Sequence, residues 1–214
     1  MKIGVLGTGM VGSAIATRAI EAGHEVRMGA RDAGNEKARK WAAGAGPKAS
    51  VGTFADAASF GEMVFSATLG KAAVDALKAA GEGTLDDKVV VDVSNPLDFS
   101  MGMPPVLLTG PGDSLGERIQ HAFPRARVVK ALNTVNAQLM GHPESLGGES
   151  DLFVCGNDAD AKGRVSALLR EFGWRTIHDL GDIRASRGME AYLLFWITVS
   201  GALKTAAFNI RIVR

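Results

Sequence analysis

The sequence predicts an α/β chain with a doubly wound, mostly parallel sheet and a short C-terminal helical appendage. Three observations carry that prediction. Short β-rich runs alternate with helical patterns from the first residue. Several of the runs are continuously apolar, as strands covered on both faces must be. A glycine-rich turn, Gly7-Thr8-Gly9-Met10-Val11-Gly12, stands between the first strand and the first helix.

The strands expected in order are residues 2–6, 25–28, 49–51, 63–67, 88–93, 127–130, 152–154 and 175–178. Between them, residues 11–21, 35–43, 71–80, 115–122 and 159–172 have the length and apolar spacing of amphipathic helices. Gly23 follows the first of these, where a left-handed C-cap is expected. Residues 95–111 interrupt the rhythm with four prolines and several glycines, which reads as a long loop at a strand end. From Gly181 onward the alternation stops. A polar turn at 184–187 and one helix from Glu190 to about Ala207 are expected there, so the chain divides into a main domain over 1–180 and an appendage over 181–214.

The 214 residues suffice for one sizeable core, and 46% hydrophobic with 22% charged residues is ordinary for a folded globular chain. A formal charge of +1 gives no bulk field to gather nucleic acid or an anionic membrane. Any anion site must therefore be a local arrangement of donors. The single cysteine, Cys155, forms no internal disulfide, and no cysteine/histidine spacing matches a zinc site, so no metal is expected and a reducing cytosol fits. Residues 1–3 lead into an apolar strand without the features of a signal peptide. The apolar stretch 192–203 falls short of the roughly 20 residues of a membrane span. The expected location is the cytoplasm, with no membrane or nucleic-acid partner.

The pattern Gly7-x-Gly9-x-x-Gly12 directly after a strand and opening a helix is the context of a dinucleotide-binding, Rossmann-type turn. Gly7 permits the tight turn, Gly9 lets a pyrophosphate approach the backbone, and Gly12 lets helix and strand pack closely. The free amides of the helix start then face the anion. The end of the second strand decides which dinucleotide is preferred. An acid there would accept from the adenine ribose, whereas this strand ends Met28-Gly29-Ala30-Arg31. A guanidinium matches a 2′-phosphate that a carboxylate would repel, so NADP(H) is expected over NAD(H). Asp32 reads as a solvated or capping residue. Asn35 and Lys37 read equally as phosphate contacts or as the polar first turn of the next helix.

With these residues, and with Val91-Asp92-Val93-Ser94-Asn95-Pro96-Leu97, Val128-Val129-Lys130-Ala131-Leu132-Asn133-Thr134 and Val154-Cys155-Gly156-Asn157-Asp158, the chain resembles a known family. It is similar to the NADPH-dependent reductases of the deazaflavin coenzyme factor 420, also found as the NADPH domain of six-transmembrane metalloreductases. The resemblance implies hydride transfer between NADP(H) and a deazaflavin, or a flavin-like cosubstrate, as the small-molecule acceptor. It also implies cofactor contacts at Thr8, Gly9, Met10 and Val11, at Arg31, at Thr68 and Leu69, and at Asn95 and Pro96. Two departures stand out. Ala30 replaces a serine found beside the arginine in several such reductases, and Asn133 stands where they can show histidine. Asn133 either hydrogen-bonds the second cofactor or ties a loop together.

No acid, base or nucleophile constellation stands out near the expected strand ends, which suits a reaction that needs geometry. Residues 108–111 and the stretch around Trp196 are expected to wall the second pocket. His24, His121, His142 and His178 read as structural, and Cys155 as an inert apolar residue. Arg184 and Arg187 read as a surface patch or as an anion contact. The apolar face of 192–208 suggests either docking on the core or a homodimer through the C-terminal helix. Two alternatives to a deazaflavin reductase stay open: an NADP-sensing protein without turnover, and a reductase of another small molecule such as an imine or hydroxyacid. The short stretch after residue 180 weighs against the latter.

Overall fold

The computed structural model describes residues 1–81 and 83–214. Its first half is built from β1 (Lys2–Leu6), α1 (Met10–Glu21), β2 (Glu25–Ala30), α2 (Glu36–Ala45), β3 (Ala49–Thr53), α3 (Phe54–Phe60), β4 (Met63–Ser66), α4 (Gly70–Lys78) and β5 (Val89–Asp92). There follow a two-stranded hairpin of β6 (Leu97–Asp98) and β7 (Val106–Leu107), then α5 (Leu115–Ala122), β8 (Arg127–Ala131) and α6 (Ala137–Gly141). The chain ends with β9 (Asp151–Gly156), α7 (Ala159–Glu171), β10 (Thr176–Asp179) and α8 (Ser186–Leu203).

Eight strands form one sheet in the order β10-β9-β8-β5-β4-β1-β2-β3. All pairs are parallel except β8 with β9, so β9 and β10 run against the other six. The strand order reverses between β1 and β4, and in such sheets the ligand crevice opens at the carboxyl ends beside that reversal. Both faces are covered. One apolar cluster joins Ile15 and Ala19 of α1 and Val165 and Leu168 of α7 to β1, β4 and β5. The other joins Ala57 of α3, Leu77 of α4, Ile119 of α5 and Met189 of α8 to the opposite face. Among the described residues no helix is long and apolar enough to cross a membrane.

The observed elements extend or trim the expected ones by a few residues, and four differences have identifiable causes. The helix α3 was not foreseen, because its seven residues are too few to show a period. Its signal is a capping box, in which Thr53 Oγ1 accepts from the Asp56 amide at 3.1 Å and Asp56 Oδ2 accepts from the Thr53 amide at 2.8 Å. It lies so close to the sheet that a Cβ on Gly4 would sit 2.2 Å from the Ala57 carbonyl oxygen. The short α6, with Asn136 as its cap, was missed for the same reason of length. The expected loop over 95–111 folds back as the β6–β7 hairpin. The last helix begins at Ser186 rather than Glu190 and stops at Leu203 rather than near Ala207, where Lys204 turns left-handed at φ 53°.

Beyond α8 the tail returns to the start of β9. The Asp151 amide donates to the Ile210 carbonyl at 2.9 Å, and the Ile212 amide donates to Asp151 Oδ2 at 2.9 Å. Trp196 of α8 stacks on Phe208 of this tail, with ring centroids 5.1 Å apart.

Candidate functional site: a two-chambered cleft at the strand ends

The glycine turn between β1 and α1 has the geometry its residues require. Gly7 adopts φ 132°, and a Cβ there would lie 2.4 Å from the Ala67 carbonyl oxygen. A Cβ on Gly12 would lie 2.2 Å from the Gly7 carbonyl oxygen, so this residue sets the close packing of α1 on the turn. Gly9 differs, because a Cβ there would meet nothing within 4 Å. The protein's own packing does not demand that glycine, and the open space above it is where a backbone-bound anion would lie.

The helix starts divide in the same sense. Side chains cap α2, α3, α5, α6 and α7, through Asn35, Thr53, Ser114, Asn136 and Asp158. Three helices, α1 opening at Gly9, α4 opening at Leu69 and α8 opening at Ser186, have neither a side-chain cap nor an acid in the first turn, and of these α1 and α4 start beside the chambers. Uncapped amides carry a partial positive charge that favours an anion.

Two chambers meet along Ala67, Thr68 and Leu69. The smaller, about 270 Å³, lies between the glycine turn and the end of β2 and is lined by Gly7, Thr8, Ala30 and Arg31. Arg31 is exposed and, among the described residues, pairs with no carboxylate. Asp32 Oδ1 accepts from the Gly34 amide at 2.7 Å and so shapes the turn. Asn35 caps α2 and also lines this chamber, whereas Lys37 is exposed in the first turn of α2 and outside the lining.

The larger chamber, about 620 Å³, is lined by Val11, Thr68, Asn95, Asn133, Val135 and Met140, among others. Its outer wall is formed by Leu97, Phe99 and Ser100 of the hairpin and by Leu193 of α8. The expected wall at residues 108–111 and Trp196 is thus corrected. The hairpin turns its first arm to the chamber, and Trp196 faces the tail. Pro96 is buried beneath the hairpin and its carbonyl accepts from the Leu108 amide at 2.7 Å, so it supports the chamber from behind. Leu69, 72% exposed, stands where the chambers meet, whereas Met10, 83% exposed beside the glycine turn, lies outside both linings.

Asn95 and Asn133 brace each other across the floor of this chamber. Asn95 Nδ2 donates to the Asn133 carbonyl at 2.9 Å. In return Asn133 Nδ2 donates to Asn95 Oδ1 and to the Met189 carbonyl, both at 3.0 Å. Asn133 therefore ties loops together while its Oδ1 is left shielded from solvent with no partner, as is Thr68 Oγ1. A buried polar atom without a partner costs about 1–3 kcal/mol.

The view that no charged constellation stands at the strand ends is also corrected. Asp92 at the end of β5, Lys130 near the end of β8 and Glu190 of α8 form a cluster with essentially no solvent exposure. Lys130 Nζ donates to Asp92 Oδ2 at 2.7 Å, to Glu190 Oε1 at 2.8 Å and to the Ser94 carbonyl at 2.7 Å, which uses all three of its protons. Burial pushes the Lys130 ammonium towards its neutral form, and the two carboxylates override it and hold its pKa above the ordinary value. None of the three lines the cleft, so they brace it rather than enter the chemistry. Sequence reasoning missed them because Lys130 and Glu190 are 60 positions apart. The one available signal was a lysine and an aspartate inside otherwise apolar strands.

Of the remaining side chains that the sequence singles out, His121 is exposed, and the others sit in structural roles. His24 bonds Glu171, His178 bonds Asp151, and His142 lies between Glu21 and Glu144. Cys155 is buried, and desolvation pushes its thiol up to about 12. Arg187 pairs with Glu117, and Arg184 with Asp182 beside it in sequence. No metal-ligating cluster occurs among the described residues.

Comparison with known proteins agrees with this geometry. Residues 2–96 match the family model for coenzyme F420-dependent NADP oxidoreductases. The chain is 30% identical over 159 residues to an F420-dependent NADP reductase of Methanocaldococcus jannaschii, covering 73% of this chain and 70% of that one. It is 30% identical over 192 residues to the metalloreductase STEAP3 of Rattus norvegicus, covering 89% of this chain but spanning only 36% of the metalloreductase. A crystal structure from Arthrobacter sp. FB24, described as a candidate F420-dependent NADP-reductase, superposes with a TM-score of 0.95 at 47% identity over the whole of both chains. A reductive aminase of Aspergillus terreus in complex with NADPH shares the fold alone, with a TM-score of 0.69 at 21% identity over 94% of this chain and 62% of that one. The chain is an oxidoreductase with a Rossmann-type fold and belongs to the family of coenzyme F420-dependent NADP oxidoreductases.

Proposed function

We propose that this protein transfers a hydride between NADP(H) and a planar deazaflavin or flavin-like acceptor, with the dinucleotide lying along the two chambers and the acceptor entering the larger one. The observation that carries the reading is the pair of chambers joined at Ala67–Leu69. One is marked by an arginine that pairs with no carboxylate among the described residues, and the other by the unpartnered Thr68 Oγ1 and Asn133 Oδ1.

The residues fit such a cofactor. The open space above Gly9 and the uncapped start of α1 suit a pyrophosphate. Arg31 offers a forked donor to a 2′-phosphate at the end of β2, with Ala30 and Asn35 beside it. Thr68 Oγ1 and Asn133 Oδ1 offer one hydroxyl and one amide oxygen to a nicotinamide carboxamide or to the acceptor's ring edge. When bound, the nicotinamide supplies or accepts the hydride. The chain contributes orientation and exclusion of water. Val11, Val135, Met140 and Leu193 offer apolar contact to ring faces, and the Asn95–Asn133 brace keeps the floor from shifting. Such a reaction draws its rate from placing two rings in register rather than from proton transfer; the charged side chains in the chamber's lining are Lys71 and Asp98.

The same reading places the protein in the cytosol, supported by the lone buried thiol. It also takes a second copy of the chain as partner, supported by the exposed Phe195 and Leu203 on the far half of α8. The decisive experiment mixes the protein with NADPH and, in separate reactions, oxidised factor 420, FMN, FAD and a ferric chelate, and follows the loss of nicotinamide absorbance. Turnover with the deazaflavin or a flavin is expected. Tight NADPH binding with no turnover against any acceptor would instead identify an NADP sensor.

A further inference from the structure

The buried cluster under the larger chamber has a structure that stability alone does not explain. Taking three ions out of water costs several kcal/mol each, and well-packed apolar residues of similar size often serve stability as well or better. What the ions add is direction. Glu190 is 1% exposed and all its contacts are specified: Oε1 accepts from Lys130 and from the Gly116 amide at 3.1 Å, and Oε2 accepts from the Leu115 amide at 2.9 Å. One carboxylate therefore binds the start of α5 and the end of β8 to α8 at a single point.

That point is coupled to the cleft by two short paths. Along the first, Lys130 holds the Ser94 carbonyl while Asp92 Oδ1 accepts from the Ser94 amide and hydroxyl. Ser94 leads directly into Asn95 on the chamber floor. Along the second, the carbonyl of Met189, the residue before Glu190, receives the Asn133 amide, and Leu193, one turn further along α8, forms part of the chamber wall. A helix docked only by apolar contacts tolerates small shifts and rotations. Hydrogen bonds at two adjacent residues fix both its rotation and its height.

We propose that Glu190 is a positioning residue for the nicotinamide end of the cleft: by anchoring α8 to Lys130 and to the start of α5 it sets Leu193 and the Asn95–Asn133 floor in register. The inference rests on the dinucleotide reading of the cleft. The adenosine end, built from the glycine turn and Arg31, contacts neither α8 nor the ion cluster and is independent of it.

The test separates the two ends by ligand. NADPH occupies both chambers, whereas 2′-phospho-ADP-ribose keeps the adenosine, pyrophosphate and second ribose and lacks only the nicotinamide ring, so the difference between the two ligands reports the nicotinamide end. In Glu190→Gln, affinity for the fragment should stay within about twofold of the unsubstituted protein, while affinity for NADPH falls about tenfold towards that of the fragment. Circular dichroism fixes a temperature at which both proteins are folded. Leu193→Ala leaves the ion cluster intact and removes only the wall it positions. It should shift NADPH affinity in the same direction and leave the fragment unaffected, which keeps the proposal open to test if Glu190→Gln does not fold. Equal losses for both ligands, unchanged affinity for both, or an unsubstituted protein that binds NADPH no better than the fragment would overturn the proposal. An unsubstituted protein that binds neither ligand would remove the dinucleotide reading itself, a distinguishable failure.

Discussion

Arg31 shows how much a single side chain decides. It stands exposed at the end of β2, lines the smaller chamber and pairs with no acid among the described residues, so its charge is available to a ligand. Charge-assisted, forked hydrogen bonds of this kind are about twice as strong as neutral ones. Arg31→Ala is therefore expected to weaken NADPH binding by roughly tenfold or more, about 1.4 kcal/mol per tenfold, while NADH binding changes little. Fluorescence titration with both nucleotides checks this, and equal losses would defeat the 2′-phosphate assignment. Gly9 makes the complementary point by what it omits. Gly7 and Gly12 are required by the fold itself, because a Cβ on either would strike backbone, whereas the space at Gly9 is free.

Among the elements, the C-terminal tail has a pH-dependent anchor. Asp151 at the start of β9 is buried. Burial raises its pKa, but the Ile212 amide, His178 and Arg211 outweigh that and hold it below the ordinary aspartate value of 3.8. A carboxyl depressed in the folded state stabilises the fold above its unfolded pKa, and that contribution is lost as the pH falls through the folded value. Acidification below 3.8 should therefore release the tail before the sheet yields. It would be seen as loss of hydrogen-exchange protection at the Ile212 amide while core amides of β4 and β5 stay protected. In Asp151→Asn that protection should be weaker at neutral pH and insensitive to acid. Simultaneous loss everywhere in the unsubstituted protein would show that the tail has no separate anchor.

For the whole molecule, the unequal treatment of α8 is the main feature. Its first half is buried against α5 and the ion cluster. Its second half carries Phe195 at 61% and Leu203 at 57% exposure. Large apolar side chains exposed together on one helix mark a contact surface. A homodimer through this stretch predicts that Phe195→Lys with Leu203→Lys yields a monomer by light scattering, with affinity for 2′-phospho-ADP-ribose unchanged. An unsubstituted protein already monomeric at micromolar concentration would exclude that partner.

The sequence by itself determined the alternating strands and helices, the nucleotide turn and the Arg31 position, because each depends on residues close together in the chain. Periodicity, glycine spacing and the residue at a strand end are local signals. It could not show α3 and α6, too short for a period, nor the reversal of β9, which depends on how the chain passes from β8. Nor could it show which residues wall the larger chamber. Phe99 and Leu193 are 94 positions apart and meet there only because the hairpin and α8 fold over the same strand ends. The ion cluster is the clearest case. Asp92, Lys130 and Glu190 read separately as two polar interruptions of apolar strands and a helix-start acid. Tertiary structure alone put them in contact, where burial forces every charge and proton to find a partner.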